Sequence, residues 1–80
     1  MLTLKELVAK VLDIDKRIIN NESSPENIPS WDSFNGLMIV SELETNFNVK
    51  FTLEEVVAVR NFKDIKEALE RHGIKEGLND

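Results

Sequence analysis

Leu4, Leu7, Val8, Val11 and Leu12 recur at i, i+3, i+4, i+7 and i+8, a spacing that gathers them on one stripe of an α-helix. Thr3 and Glu6 stand three residues apart at its start, the pattern in which each side chain satisfies a free backbone N–H near the other. Lys5 and Lys10 fall off the stripe. The helix is expected to fray over Asp13 to Lys16, leaving Ile14, Ile18 and Ile19 to cover the core edge. From 20 to 31 the periodicity stops, and both prolines of the chain lie here. A structureless connection of this length is long for a compact domain, and such loops often carry function. Ile28 and Trp31 are its expected anchors.

A second helix is predicted from Asp32 or Ser33 to about Phe47, because Asp or Ser ahead of an unbroken apolar-rich segment is a start signal. At about 100° per residue, Gly36, Val40, Leu43 and Phe47 share one face, flanked by Leu37 and Ile39. Asn35, Met38, Ser41, Glu42 and Thr45 take the other. Thr52 and Glu55 repeat the capping pattern and open a short helix to about Ala58. A last helix follows Asn61, with Phe62, Ile65, Ala68 and Leu69 inward. It stops at His72-Gly73, where glycine accepts the left-handed conformation that ends helices. Residues 75–80 are expected to be frayed. The expected core is Leu7, Val11, Val40, Leu43, Phe47, Val59, Phe62 and Ile65, and no run reads as a strand.

Eighty residues leave chain for one domain, 1–80, and one core. Cysteine is absent, which removes disulfides, thiolate metal sites and a cysteine nucleophile. Packing alone must hold the fold, at about 1.5–3 kcal/mol for each large apolar side chain buried. Fifteen acidic residues against ten basic ones set the formal charge at −5. A polyanion is repelled by that charge, so no nucleic-acid partner is expected, and a helix-turn-helix reader would need a basic recognition helix. No apolar run approaches the roughly 20 residues of a membrane span. The start of the chain is not patterned as a signal peptide, so a cytoplasmic protein is expected and the sequon at Asn21 is read as chance.

Catalytic chemistry is hard to assemble from these residues. A serine nucleophile needs an oriented base, and the only histidine, His72, sits in a last helical turn, where it is expected to partner the helix end. Asp13 and Asp15 open like a calcium loop, but later ligand places fall on Arg17 and Ser24, and Ile18 replaces the turn glycine. No metal site is expected. Glu42 with Glu44 and Glu54 with Glu55 are too close in sequence to face one another on a helix, and read as a solvated face. Lys16-Arg17 reads as a complement to a helix dipole.

Trp31-Asp32-Ser33-Phe34 stands apart. A serine where a long loop meets a helix presents its hydroxyl beside free backbone N–H groups that favour an anion, so a phosphoester on Ser33 would be well placed. The plainer alternative is that Asp32 and Ser33 only cap the helix. Trp31 either braces the loop or shields whatever Ser33 carries. Gly36 either permits close helix packing or leaves room for a ligand between helices, in which case Gly36, Val40 and Phe62 would touch it.

Asp32-Ser33-Phe34, the apolar helix Leu37-Met38-Ile39-Val40-Ser41-Glu42-Leu43-Glu44 and Phe47 resemble the Asp-Ser-Leu signature and second helix of acyl carrier proteins. The resemblance continues through Phe51, the Thr52-Leu53-Glu54-Glu55 turn, and Val59 to Leu69 as the final helix. It implies an all-α, four-helix bundle with a short third helix. It also implies that a phosphopantetheinyl transferase, using magnesium and coenzyme A, places 4′-phosphopantetheine on Ser33. The missing thiol would arrive with that arm, acyl groups would ride as thioesters, and the chain would catalyse nothing itself. Acyl-loading and acyl-processing enzymes of fatty-acid, lipid or polyketide synthesis are the implied partners, served by a monomer.

The implied docking residues are Asp32, Phe34, Asn35, Leu37, Met38, Glu42 and Glu44. Asn35 and Met38 stand where many fatty-acid carriers have acids, and Phe34 replaces the leucine beside the serine. The outward stripe is therefore more apolar than the family pattern, which points to a specialised carrier with its own partners. An aminoacyl or peptidyl carrier of the same fold, and an unmodified helical interaction domain, are the alternatives.

Overall fold

The computed structural model describes residues 2–78. Four α-helices follow one another, α1 (Leu4–Leu12), α2 (Ser33–Phe47), α3 (Leu53–Ala58) and α4 (Phe62–Arg71), with a 3-10 turn at Lys16–Ile18. No strand occurs among the described residues. The protein is an all-α bundle with a short third helix, as the apolar periodicity and the resemblance predict.

Local chemistry accounts for the helix ends. Both capping boxes form: the Glu6 and Glu55 amides donate to the Thr3 and Thr52 hydroxyls, and the Glu carboxylates accept the Thr amides in return. Asp32 and Asn61 cap α2 and α4, accepting the amides of Asn35 and Asp64 at 2.8 Å. α1 does not fray past Leu12. Asp13 closes it in the left-handed region (φ 56°), with the Ile14 N–H donating to the Ala9 carbonyl at 3.0 Å. Asn48 ends α2 in the same way at φ 54°; Asp and Asn tolerate this conformation better than other side-chain-bearing residues.

The core is one cluster joining α1 (Leu4, Leu7, Val8, Leu12), α2 (Ile39, Leu43, Phe47) and α4 (Phe62, Ile65, Leu69). Val11, Val40 and Val59, expected at its centre, are only half-buried: Val11 and Val59 pack at its margin, and Val40 stands outside the cluster. The inward face of α2 is centred on Ile39, Leu43 and Phe47, which rotates Leu37 out to solvent. Ile19 is buried, whereas Ile18 is 58% exposed. The cause is local: the Asp15 carboxylate accepts the Arg17 amide at 2.9 Å and starts a tight turn that carries Ile18 outward.

The long loop is held as expected by Ile28 and Trp31, both buried. Two buried serines add polar anchors: Ser23 Oγ accepts the Asn20 amide and Ser24 Oγ the Glu26 amide. The Ser23 and Asn21 carbonyls accept the first amides of α4, from Phe62 and Lys63, so the loop also positions that helix.

Residues 75–78 do not fray. The Gly77 carbonyl accepts the Leu4 amide at 2.6 Å and Leu78 is buried. Gly77 adopts φ 81°, and a Cβ there would stand 3.4 Å from the Phe47 ring. The tail thus seals the end of the bundle where α1 begins and α2 finishes, and reciprocal bonds between Leu2 and Asn46 lie at the same end. Residues 79 and 80 of the expected frayed segment lie outside the described residues.

Candidate functional site

Ser33 is the first residue of α2 and is exposed. The helix cap is made by Asp32, whose carboxylate takes the Asn35 amide, so the Ser33 hydroxyl is not consumed in capping. Two further bonds make the turn rigid: the Asn35 side-chain amide and the Asp32 backbone N–H both donate to the Ser30 carbonyl, at 2.8 and 3.0 Å. Asn35 is therefore partly buried and committed to holding the loop against the helix.

Beside Ser33 opens a cavity of about 620 Å³, within the size range of small-molecule sites. Asp32, Ser33, Gly36, Leu37, Val40 and Leu43 of the α2 side line it, with Pro25 and Trp31 from the loop. Phe51, Val56, Val57 and Val59 on and around α3, and Ile65 and Ala68 of α4, complete the wall. Among the described residues of this lining, Glu55 is the one charged side chain apart from Asp32. Its carboxylate is engaged with the Thr52 amide at 2.9 Å and with His72 Nε2 at 2.8 Å. The Thr52 amide, and after it the His72 ring, hold the Glu55 carboxyl below its ordinary value.

Gly36 does not serve close helix packing. A Cβ at this position would meet only Trp31, at 3.7 Å from Nε1 and 4.0 Å from Cδ1. The missing side chain leaves space inside the cavity instead. Trp31 both braces the loop, being 6% exposed, and forms cavity wall. Gly36 and Val40 line the cavity as the ligand alternative requires, but Phe62 does not, being sealed in the core.

The outward residues of α2 divide into two groups. Phe34 (70% exposed), Leu37 (63%) and Met38 form an apolar ridge in solvent, and Asp32 is exposed beside Ser33. Glu42 is half-buried. Glu44 is turned inward, accepting the Phe51 amide at 2.9 Å to hold the α2–α3 connection, so it is not part of a free acidic face. α3 adds Leu53 and Val57, also largely exposed. Residues 32–58 hold five carboxylates and one lysine, four of the chain's five net negative charges.

His72 does more than end α4. It reaches the Glu55 carboxylate and lies edge-on to the Phe51 ring, centroids 5.1 Å apart, tying α4 to α3 and its approach. Arg17 of the Lys16-Arg17 pair is engaged with Asp15 two residues away, in solvent. Among the described residues no cluster of acids and histidine is arranged to hold a metal. No described helix is long and apolar enough to cross a membrane. Sequence reasoning missed the α3 and α4 walls of the cavity; the one sequence signal for the space was Gly36 on a helix facing the core.

No family model matches the chain, and no curated protein matches it. Among solved structures it is similar to a holo acyl carrier protein from Geobacter metallireducens determined by solution NMR. The two are 24% identical, with a TM-score of 0.72 over 99% of this chain and 100% of the other. At that identity the likeness establishes the fold, over the whole chain: these four helices are arranged as in an acyl carrier protein.

Proposed function

We propose that this chain is a carrier of acyl groups, modified on Ser33 with 4′-phosphopantetheine from coenzyme A by a phosphopantetheinyl transferase. The observation that carries the reading is the placement of Ser33. An exposed hydroxyl, spared from capping by Asp32, stands at the rim of a largely apolar cavity. The first turn of α2 favours the negative charge of a phosphodiester on that oxygen.

The residues present fit such a group. Ser33 would hold it, Asp32 stands beside it for the modifying enzyme to contact, and the cavity gives an attached chain an apolar place to lie. Once bound, the arm supplies the thiol that the chain lacks and carries an acyl group as a thioester. The protein's own residues present and shelter; they carry out no catalytic step. A tethered substrate gains effective concentration at a docked enzyme, which is what a carrier contributes.

Docking falls to Asp32, Phe34, Leu37, Met38 and Glu42, with Asn35 and Glu44 supporting the surface from inside. The ridge of Phe34, Leu37 and Met38 suits an apolar recess on a partner, and the negative charge of the α2–α3 half suits a basic rim around it. Such a partner differs from one that reads an acidic helix alone, in keeping with a specialised lipid or polyketide pathway. The carrier works as a cytoplasmic monomer.

Mass spectrometry after incubation with coenzyme A and a phosphopantetheinyl transferase tests the reading. A gain of about 340 Da is expected in the wild-type chain, and none in Ser33→Ala. An unchanged wild-type mass across transferases of broad specificity would leave an unmodified interaction domain as the function.

A further inference from the structure

Trp31 is 6% exposed, and its indole nitrogen has no hydrogen-bond partner among the described residues. Buried tryptophan usually satisfies that N–H. The nitrogen is not sealed off either, since among the described residues Ser30 Oγ is the one fully enclosed side-chain polar atom without a partner. The nitrogen edge of the ring faces the gap left by Gly36, with Nε1 the nearest atom to where a Cβ would stand. Both residues line the cavity whose rim holds Ser33.

A donor without a protein partner thus stands in a mostly apolar stretch of wall, and a glycine keeps the space before it clear. We infer that the Trp31 indole N–H is a hydrogen-bond donor for an oxygen acceptor that enters the cavity from Ser33. The inference rests on the carrier reading and deepens it. The acceptor is a carbonyl or hydroxyl oxygen. It comes either from an amide of the arm or from an oxygenated acyl chain, such as a 3-oxo or 3-hydroxy acyl group. A plain alkyl chain fills the same cavity without satisfying the N–H. The wall therefore favours cargo or arm oxygen at this point, where a uniformly apolar lining would show no preference.

The indole ¹H–¹⁵N signal of Trp31, the only tryptophan in the chain, reads the bond directly. It is to be recorded for the unmodified protein, the arm-bearing protein, and the protein loaded with hexanoyl, 3-oxohexanoyl and 3-hydroxyhexanoyl groups. The expected result is a downfield shift of the indole proton and about tenfold slower exchange with water, the scale of one neutral hydrogen bond. If both appear in the arm-bearing form and stay constant with cargo, the acceptor is an arm amide. If they appear only with the 3-oxo or 3-hydroxy chain, the acceptor is the cargo.

Gly36→Ala places a methyl group at ordinary contact distance from Nε1 and should reduce the shift on loading while the unmodified spectrum remains folded. An indole proton indifferent to every attached group, in samples whose mass confirms loading at Ser33, overturns the inference and leaves the carrier reading intact. Absence of any mass gain at Ser33 overturns both.

Discussion

Along α1, Leu4, Leu7, Val8 and Leu12 are almost wholly withdrawn from solvent, whereas α3 buries no residue at all. The α1 side is also tied to both ends of the described chain, through Leu4 to Gly77 and through Leu2 to Asn46. α3 is six residues long, shows Leu53 and Val57 to solvent at 77% and 70%, and forms cavity wall through Glu55, Val56 and an edge of Val57. A helix this short is marginal by itself. What keeps it in place is a capping box, the Glu55–His72 pair and the edge contact of His72 on Phe51. The lesson is a division of labour. Stability is concentrated where α1, α2 and α4 meet, and the cavity is bounded by the element with least to lose by moving, as expected for regions that open locally.

Mutations in the two regions should differ most sharply in global stability. Phe62 is fully buried in the α4 core, and Phe62→Ala should cost about 3–5 kcal/mol in denaturant unfolding. Phe47→Ala, against the docked tail, belongs to the same class. A cost for Phe62→Ala below that of a surface change would break the comparison at its stronger end.

The next effect is local. Thr52→Ala removes the hydroxyl that accepts the Glu55 amide and should cost α3 about 1 kcal/mol. Hydrogen exchange is the measurement: α3 amides should lose protection while α1 amides keep theirs. Equal losses in both helices would mean that α3 opens only with the whole molecule.

The pH dependence of α3 sharpens the same point. Glu55 is held below its ordinary value of 4.5, first by the Thr52 amide and then by His72. A depressed carboxyl contributes stability that is complete above 4.5 and is lost as pH falls through the lowered folded value. Acidification should therefore loosen α3 before α1. An NMR titration of the Glu55 carboxyl should give a midpoint under 4.5, and His72→Gln should raise it only in part, because the amide remains. Full return to 4.5 would assign the whole effect to the histidine.

The smallest effect is expected at Val57, where Val57→Ala should change global stability by no more than about 0.5 kcal/mol. A larger loss would place α3 inside the cooperative core.

Much of the frame was legible because its determinants are local. Thr3 with Glu6 and Thr52 with Glu55 each act within one helical turn, so three-residue spacing sufficed to mark where α1 and α3 begin. Asp32 and Asn61 did the same for α2 and α4, and the exposed serine at the loop–helix junction followed from them. The face of α2 was less legible: apolar residues nearly surround the helix, and a ring of similar side chains does not say which arc is inward. Ile18 and Ile19 are interchangeable as letters, and one carboxylate bond from Asp15 decided between them.

By itself, then, the order of residues determined the helices, their caps, the anchored loop and the candidate serine, all through interactions spanning a few residues. Only the tertiary structure decided that the tail seals the bundle, that Glu44 turns inward, that His72 pairs with Glu55 across seventeen positions, and that a cavity opens beside Trp31 and Gly36. Each of these depends on surfaces from distant parts of the chain meeting, or failing to meet. Such shape is a property of the packed whole and has no counterpart in local spacing.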